Sequence, residues 1–431
     1  MIYFERGSET DEISLQEARQ ALFSVFEKLG TRRKVMIIPP DSTRRHSMAG
    51  ELTSLVYEYY RDRISDILPA LGTHAPMTAS EIANMFKNIP ANLFRIHDWR
   101  NDVVELGRVS ADFIRTISEG RVSYDWPVQV NRLIHSGNHD LIVSVGQVVP
   151  HEVTGMANYN KNILVGTGGS EAINKSHFLG AAYGMERIMG RSQNPVRKLL
   201  NYAEEKYLAH LPMLYVLTVM GQTNDQRLVL RGLFIGYGTE VFEKAAALSL
   251  KVNFQMLESP LKKIVVYLPE DEYKSTWLGN KSIYRTRMVL ADEGELIVLA
   301  PAVNRFGEDP KIDQLIRKFG YKGTTAILKA VEQNVELQQN LGAAAHLIHG
   351  SSDGRFRITY CPKFLSEEEI ENVGFDYAPY DEMIKKYPPN LLKEGMNMVN
   401  GEEVYFISNP ALGLWAWKDK FVENASASRT N

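Results

Sequence analysis

The sequence predicts an α/β fold, two α/β domains with the active site in the cleft between them. Three observations predict it. Short apolar runs of strand length alternate with helical patterns opened by Ser or Thr caps and stopped by Gly. At 431 residues the chain is too long for one ordinary core. Polar residues with usable chemistry recur just past the apolar runs, and open α/β sheets bind ligands beyond the carboxyl ends of their strands.

The elements follow in order. Ser14-Leu15-Gln16-Glu17 is a capping box, followed by Ala18, Leu22, Val25, Phe26 and Leu29 at helical spacing and by Gly30. Lys34 to Ile38 reads as a buried strand running into Pro39-Pro40-Asp41-Ser42-Thr43-Arg44-Arg45-His46. A helix is predicted over about Ala49 to Leu68, then the turn Leu71-Gly72-Thr73-His74-Ala75-Pro76, then a helix capped by Thr78 and Glu81. Leu93 to Ile96 reads as an apolar segment ending in His97-Asp98. Leu141 to Val149 reads as a strand closed by Pro150 and ending in His151, because proline cannot continue a central ladder. A loop carrying Lys161 leads to Gly166-Thr167-Gly168-Gly169 and to Ser170, the cap of a helix that holds His177 about two turns in.

From about Arg187 to Phe254 the pattern is largely helical, with a strand at Leu228 to Gly236. A second set begins near Lys263: strands at Ile264 to Leu268, Glu295 to Ala300 and Phe356 to Tyr360, and helices at Gly279 to Ala291, Asp309 to Phe319, Thr324 to Gln339 and after Ser366. The domains are therefore expected at 1–257, the catalytic and cofactor-binding part, and 258–384, a smaller α/β part closing the cleft. The aromatic segment from about 385 to 431 is expected to pack back on the first domain, with 424–431 frayed.

Composition narrows the partners. A net charge of −3 with both signs interspersed argues against a nucleic-acid face. One cysteine, Cys361, excludes an intrachain disulfide and a cysteine-based zinc site. No apolar run reaches about 18 residues, and the N-terminus MIYFERGSETDE lacks the basic and apolar regions of a signal peptide, so no membrane role and a cytoplasmic address are expected.

Candidate chemistry competes with plain structure at each position. His74 and His151 beside prolines suit general acid–base work, and hydrogen-bonded structural histidines are the rival reading. Lys161 in a loop is by itself a solvated charge, but it precedes a glycine turn at a helix start that can offer N–H groups to a phosphate. Arg44 can hold a carboxylate in a fork or close its turn with Asp41. Asn280 and Lys281 can add polar contacts for an acidic ligand, whereas Arg285 and Arg287 read as a solvated helix face. His346 and His349, three residues apart on an apolar helix, read as core, and no role is assigned to them or to His46.

Taken together, Asp41-Ser-Thr-Arg44, Gly72-Thr-His74-Ala-Pro76, His97-Asp98, Gly146-Gln-Val-Val-Pro-His151, Lys161 and Asn174-Lys-Ser-His177 resemble the lactate racemase family that uses the nickel-pincer nucleotide, pyridinium-3,5-bisthiocarboxylic acid mononucleotide nickel. The run Gly279 to Arg285 adds to it. The resemblance implies Lys161 as the covalent tether, His177 as the protein's nickel ligand, His74 and His151 as the two acid–bases, and Arg44, Asn280 and Lys281 as substrate-binding. It places Asp41, Thr43, His97 and Asp98 around the cofactor, and the glycine turn with Gly168 and Gly169 is inferred from its own N–H groups to bind the nucleotide phosphate. It also implies maturation by cofactor-biosynthesis enzymes. Two departures stand out: Arg45 and His46 replace a usual proline, and Tyr159-Asn160 replace a usual glycine pair before the lysine.

The implied reaction inverts C2 of a 2-hydroxy acid by reversible hydride transfer, because a proton α to a carboxylate is too weakly acidic for histidine to remove. The polar His46, Asn158 and Tyr159 favour a sugar (aldonic) acid substrate over lactate or another short 2-hydroxy acid. Two other classes remain open at this stage: a zinc or manganese hydrolase using some of His74, His97, Asp98, His151 and His177, and a non-catalytic sugar-acid-binding protein.

Overall fold

The computed structural model describes residues 1–223, 225 and 227–427. It forms two compact units, residues 1–176 with 188–253, and residues 177–187 with the chain from 254 onward.

The sheet of the first unit has the order Ile2–Gly7, Leu228–Gly236, Met213–Gln222, Leu141–Gln147, Val35–Ile38 and Ile64–Ile67. The last four strands are mutually parallel, and the first three are antiparallel neighbours. Val35–Ile38 is buried at every position, as a parallel strand covered on both faces must be. The predicted capping box forms: Glu17 N–H donates to Ser14 Oγ at 3.2 Å and Ser14 N–H to Glu17 Oε2 at 2.8 Å. It opens the helix Leu15–Leu29, whose Leu22 and Phe26 enter one core with Leu52, Val56, Val35, Ile37, Val143 and Val216.

Several expectations change. The helix predicted to Leu68 ends at Tyr60, and Arg61 turns the chain with φ 49°. Ile64–Ile67 is a strand instead. Asp66 hid it by interrupting the apolar pattern, yet that carboxylate is satisfied by Arg95 Nε at 2.7 Å and His139 Nε2 at 3.0 Å. The apolar segment Leu93 to Ile96 follows a 3-10 turn, Ala91–Leu93, and makes a single bridge between Ile67 and Phe94. Met213–Gln222, read as helical, is a strand buried along most of its length, so it lacks the two-residue alternation of a half-exposed one. The antiparallel pair of Val103–Val109 with Trp126–Asn131 had no reading at all.

The second unit has a sheet ordered Asp376–Tyr377, Arg357–Pro362, Leu290–Ala300, Leu261–Tyr267, Glu402–Ile407 and Gly395–Val399. All its neighbours are parallel except the last pair. This corrects the expectation for 385–431, because two strands of that segment join the second sheet and Trp415–Trp417 pairs with Gln255–Leu257 of the same unit. The predicted helix over Gly279 to Ala291 is two short ones, Thr276–Gly279 and Lys281–Thr286, and Leu290 already belongs to a strand. The helix expected over Thr324 to Gln339 breaks at Asn334, where φ is −131° and ψ 111°. In the predicted frayed end, residues up to 427 are helical and 428–431 lie outside the described residues.

Arg287 is also corrected. It is 4% exposed, and its guanidinium binds Glu186 at 3.1 Å and Asp353 at 3.1 Å, while Arg355 reaches Glu186 at 2.5 Å. This network fastens residues 177–187 within the second unit.

Candidate active site

Three parallel strands of the first unit deliver the site. Ala70 N–H donates to Pro39 O at 2.8 Å, so the chain leaving Ile64–Ile67 runs beside the chain leaving Val35–Ile38. This brings Asp41 and His74 together, with Asp41 Oδ2 2.6 Å from His74 Nδ1. The other carboxylate oxygen accepts Thr43 N–H at 3.1 Å and Thr43 Oγ1–H at 2.5 Å, which caps the turn Ser42–Ser47. Burial pushes the Asp41 carboxyl up, but hydrogen bonds from His74 and Thr43 outweigh it and hold the group below its ordinary range. A carboxylate only accepts, so the His74 proton sits on Nδ1 and the Nε2 lone pair is available to take a proton. The ring is half-exposed, and Arg44 beside it is an exposed guanidinium with only long contacts to Thr43, at 3.2 and 3.4 Å.

His151 ends the two-residue strand Pro150–His151 and is held in the opposite sense. Its Nδ1 accepts Val153 N–H at 3.1 Å and Thr154 N–H at 3.4 Å. The neutral ring therefore carries its proton on Nε2, the tautomer that donates. Glu152 Oε2 lies 4.0 Å from the same Nδ1.

Lys161 stands on the short helix Asn160–Leu164, locked on both sides. Asn162 Nδ2 donates to Ile38 O at 3.1 Å and to Ser144 Oγ at 3.0 Å, which ties the helix to two strands of the sheet. Asn160 Nδ2 donates to Asn201 Oδ1 at 2.7 Å and to Glu204 Oε2 at 3.0 Å. Among the described residues the Lys161 amine has no hydrogen-bond or ion-pair partner. Burial first, then Arg44 and Arg197, lower it to about 8, against the opposing pull of Glu152 and Asp41. Those neighbours show that the turn at Asp41, the residue after His151 and the lysine share one electrostatic environment.

The loop before Lys161 departs from ordinary backbone. Asn158 has φ 63°, and Tyr159 has φ 59° and ψ −135°, a region that almost only glycine occupies. The Tyr159 ring is buried, 4.4 Å from Tyr215 and stacked at 5.2 Å on Phe242. Arg197, 1% exposed, clamps the same loop: it donates to Met156 O at 2.7 Å, to Asn158 O at 3.5 Å and to Asn160 Oδ1, and lies 4.1 Å over Phe242. Sequence reasoning missed Arg197, Asn162 and Glu204. Arg197 follows an Asn194 cap within the amphipathic helix Pro195–Ala203, and nothing local separates it from a surface arginine.

Most of the remaining candidates hold contacts within the scaffold. His97, buried, donates from Nε2 to Gly168 O at 3.1 Å and accepts Asn131 Nδ2–H at 3.0 Å on Nδ1, and burial lowers it, so it is a neutral strut. Asp98 closes its own turn by accepting from Arg100 N, Asn101 N and Asn101 Nδ2. Gly168 is required by close packing, since a Cβ would lie 2.2 Å from the backbone oxygen of Leu164, whereas at Gly169 a Cβ would meet the movable end of the Gln129 side chain at 2.3 Å. With His97 and Asp98 so engaged, the hydrolase reading loses two of its five ligands. His177 lies on the helix Ser170–Tyr183, whose start is pinned by Trp126 Nε1 donating to Ala172 O at 2.9 Å.

In the second unit Asn280 is completely buried, with its amide nitrogen 2.4 Å from where a Cβ on Gly350 would be. Both polar atoms of its amide are buried without a hydrogen-bond partner among the described residues. Lys281 starts the adjoining helix, with its ammonium 5.8 Å from the Tyr273 ring centre. His346 stacks on Trp277 at 4.1 Å and meets Tyr321 Oη at 3.0 Å, and burial lowers it to about 3. It is a neutral core residue, and His349 is buried with it.

The histidine–carboxylate pair, the second histidine and the depressed lysine all stand past the C-terminal ends of parallel strands of the first unit, where open α/β sheets bind ligands. Residues 20–187 match the model of the lactate racemase N-terminal domain, so this part of the chain is similar to that family. No curated protein matches it. Among solved structures it is similar to a Thermotoga maritima protein, at 23% identity over 96% of this chain and 100% of that one, with a TM-score of 0.78. It is also similar to the lactate racemase apoprotein from Thermoanaerobacterium thermosaccharolyticum, at 16% identity over 96% of this chain and 94% of that one, with a TM-score of 0.69. At these identities the likeness establishes the fold. Among the described residues no helix is long and apolar enough to cross a membrane.

Proposed function

We propose that the chain is a racemase or epimerase that inverts C2 of a 2-hydroxy acid with the nickel-pincer nucleotide. The observation that carries this reading is the Lys161 amine, without a partner among the described residues and lowered by burial to about 8, in one environment with the His74–Asp41 pair and the His151 loop. The residues fit the group: forming a thioamide needs an uncharged amine, which Lys161 supplies, and a nickel already held by a tridentate ligand needs one imidazole, the part proposed for His177. The chemistry the group supplies when bound is acceptance and return of the C2 hydride.

The chain's own residues do the rest. His74 Nε2 takes the hydroxyl proton, and Asp41 stabilises the resulting imidazolium through Nδ1–H. His151 presents its Nε2–H to the substrate oxygen. Arg44 holds the carboxylate, a part also proposed for Lys281 on the resemblance. Asp41, Thr43, His97, Asp98, Gly168 and Gly169 act through the groups they position. For the substrate side chain we favour a hydroxylated, aldonic-type acid, supported by the exposed Arg45 and His46 on the turn beside Arg44. Asn158 and Tyr159 lend this no support, since both are buried.

The test is co-expression with the cofactor-making enzymes. Stoichiometric nickel, a Lys161 peptide carrying the nucleotide mass, and inversion of a 2-hydroxy acid in deuterated water with C2 left unlabelled are the expected results. Absence of nickel and of modification under those conditions refutes the reading. Ligand binding without inversion in loaded protein would make it a binding protein.

A further inference from the structure

We propose that Lys161 of the chain made without cofactor is a carbonyl-trapping amine, which condenses with a small 2-oxo acid whose carboxylate is held by Arg44. The proposal does not rest on the racemase reading, since it needs neither cofactor nor chemistry at C2.

Four observations carry it. The lysine backbone is immobilised on both sides by Asn160 and Asn162. Its amine has no partner among the described residues, whereas Lys175 is bound to Glu171 at 2.6 Å and Lys263 to Glu295 at 3.1 Å. Burial and the guanidinium groups of Arg44 and Arg197 disfavour the ammonium form more than Glu152 and Asp41 favour it. At pH 7 roughly a tenth of such amines are neutral, against about one in three thousand for an ordinary lysine. Finally, Arg44 is exposed and weakly engaged, the state in which a guanidinium can accept a bidentate carboxylate.

The step balances without a redox partner. The neutral nitrogen attacks the carbonyl carbon and a proton moves from nitrogen to oxygen, giving a carbinolamine. The C–O bond then breaks, and the oxygen leaves as water with a second proton, giving the imine. His74, hydrogen-bonded to Asp41, is the titratable ring at this site suited to carry those protons.

The experiment treats full-length protein, produced without the cofactor-making enzymes, with pyruvate and sodium cyanoborohydride near pH 7, followed by intact mass and peptide mapping. The hydride reagent reduces the imine to a stable secondary amine. We expect one adduct per chain, at Lys161, formed at least about tenfold faster than at exposed lysines such as Lys28 or Lys322. Acetone, which lacks the carboxylate, should react more slowly, and Arg44→Met should erase that preference. Scattered labelling, an unlabelled Lys161, or a preference unchanged in Arg44→Met overturns the proposal. Mapping on the parent chain needs no variant, so a poorly folding Lys161→Arg leaves the test intact. Because this protein is cofactor-free and the racemase assay uses loaded protein, either idea can fail without the other.

Discussion

Replacing Arg197 by methionine isolates what the buried guanidinium does for the lysine loop. Methionine keeps much of the volume over Phe242 and removes the charge together with the bonds to Met156 O and Asn160 Oδ1 and the longer ones to Asn158 O. Charged hydrogen bonds contribute about 1.5–3 kcal/mol each, so the two short ones amount to about 3–6 kcal/mol gross. Removing a buried charge recovers part of its desolvation cost, evident here in a guanidinium that burial lowers to about 10. A net loss of about 3 kcal/mol follows. Urea unfolding measures the loss, and hydrogen exchange by mass spectrometry localises it. The amides of residues 155–166 should exchange faster, because the left-handed Asn158 and Tyr159 would no longer be held. A variant within about 0.5 kcal/mol of the parent, with unchanged exchange in that segment, would refute the clamp.

Asp41→Asn should lower turnover of loaded enzyme by about 10²–10⁴-fold, since an amide no longer fixes the His74 tautomer or stabilises its charged form; a loss under tenfold in steady-state assays counts against His74 as the base. Tyr159→Gly relieves about 1–3 kcal/mol of backbone strain but forfeits a buried ring worth about 3–5 kcal/mol. It should therefore be destabilising in thermal melts, and a more stable variant would show that the aromatic stack does not hold the loop. Lys161→Met should stabilise the fold at neutral pH. The folded amine releases its proton near 8 and the unfolded one near 10.5, so the parent grows more stable as pH rises through that window and the variant's advantage fades there. Denaturation at several pH values checks this, and an advantage constant from neutral pH to above 10 would contradict the depressed lysine.

The parts of the site legible in the sequence are those whose information is local. Asp41 and Thr43 sit in a capped turn at a strand end, His151 lies just past the strand Leu141–Gln147, and Lys161 precedes a glycine turn at a helix start. Period and caps were enough for the helix Leu15–Leu29 and the strand Val35–Ile38. Local pattern failed where distant residues satisfy a group. Asp66 hid a strand because Arg95 and His139 pair with it, and Met213–Gln222 lacks alternation because both its faces are covered.

The sequence by itself thus determined which residue types stand at the strand ends, and through their order the family they resemble. Only the tertiary structure decided what each does. It placed Asp41 against His74 and gave the two histidines opposite tautomers. It made His97 a strut and Asn280 a core residue, and it buried Tyr159 and Arg197 beneath the lysine loop. The physical reason is that a hydrogen-bond partner or a buried charge depends on neighbours tens to more than a hundred residues away, which no local period or spacing encodes.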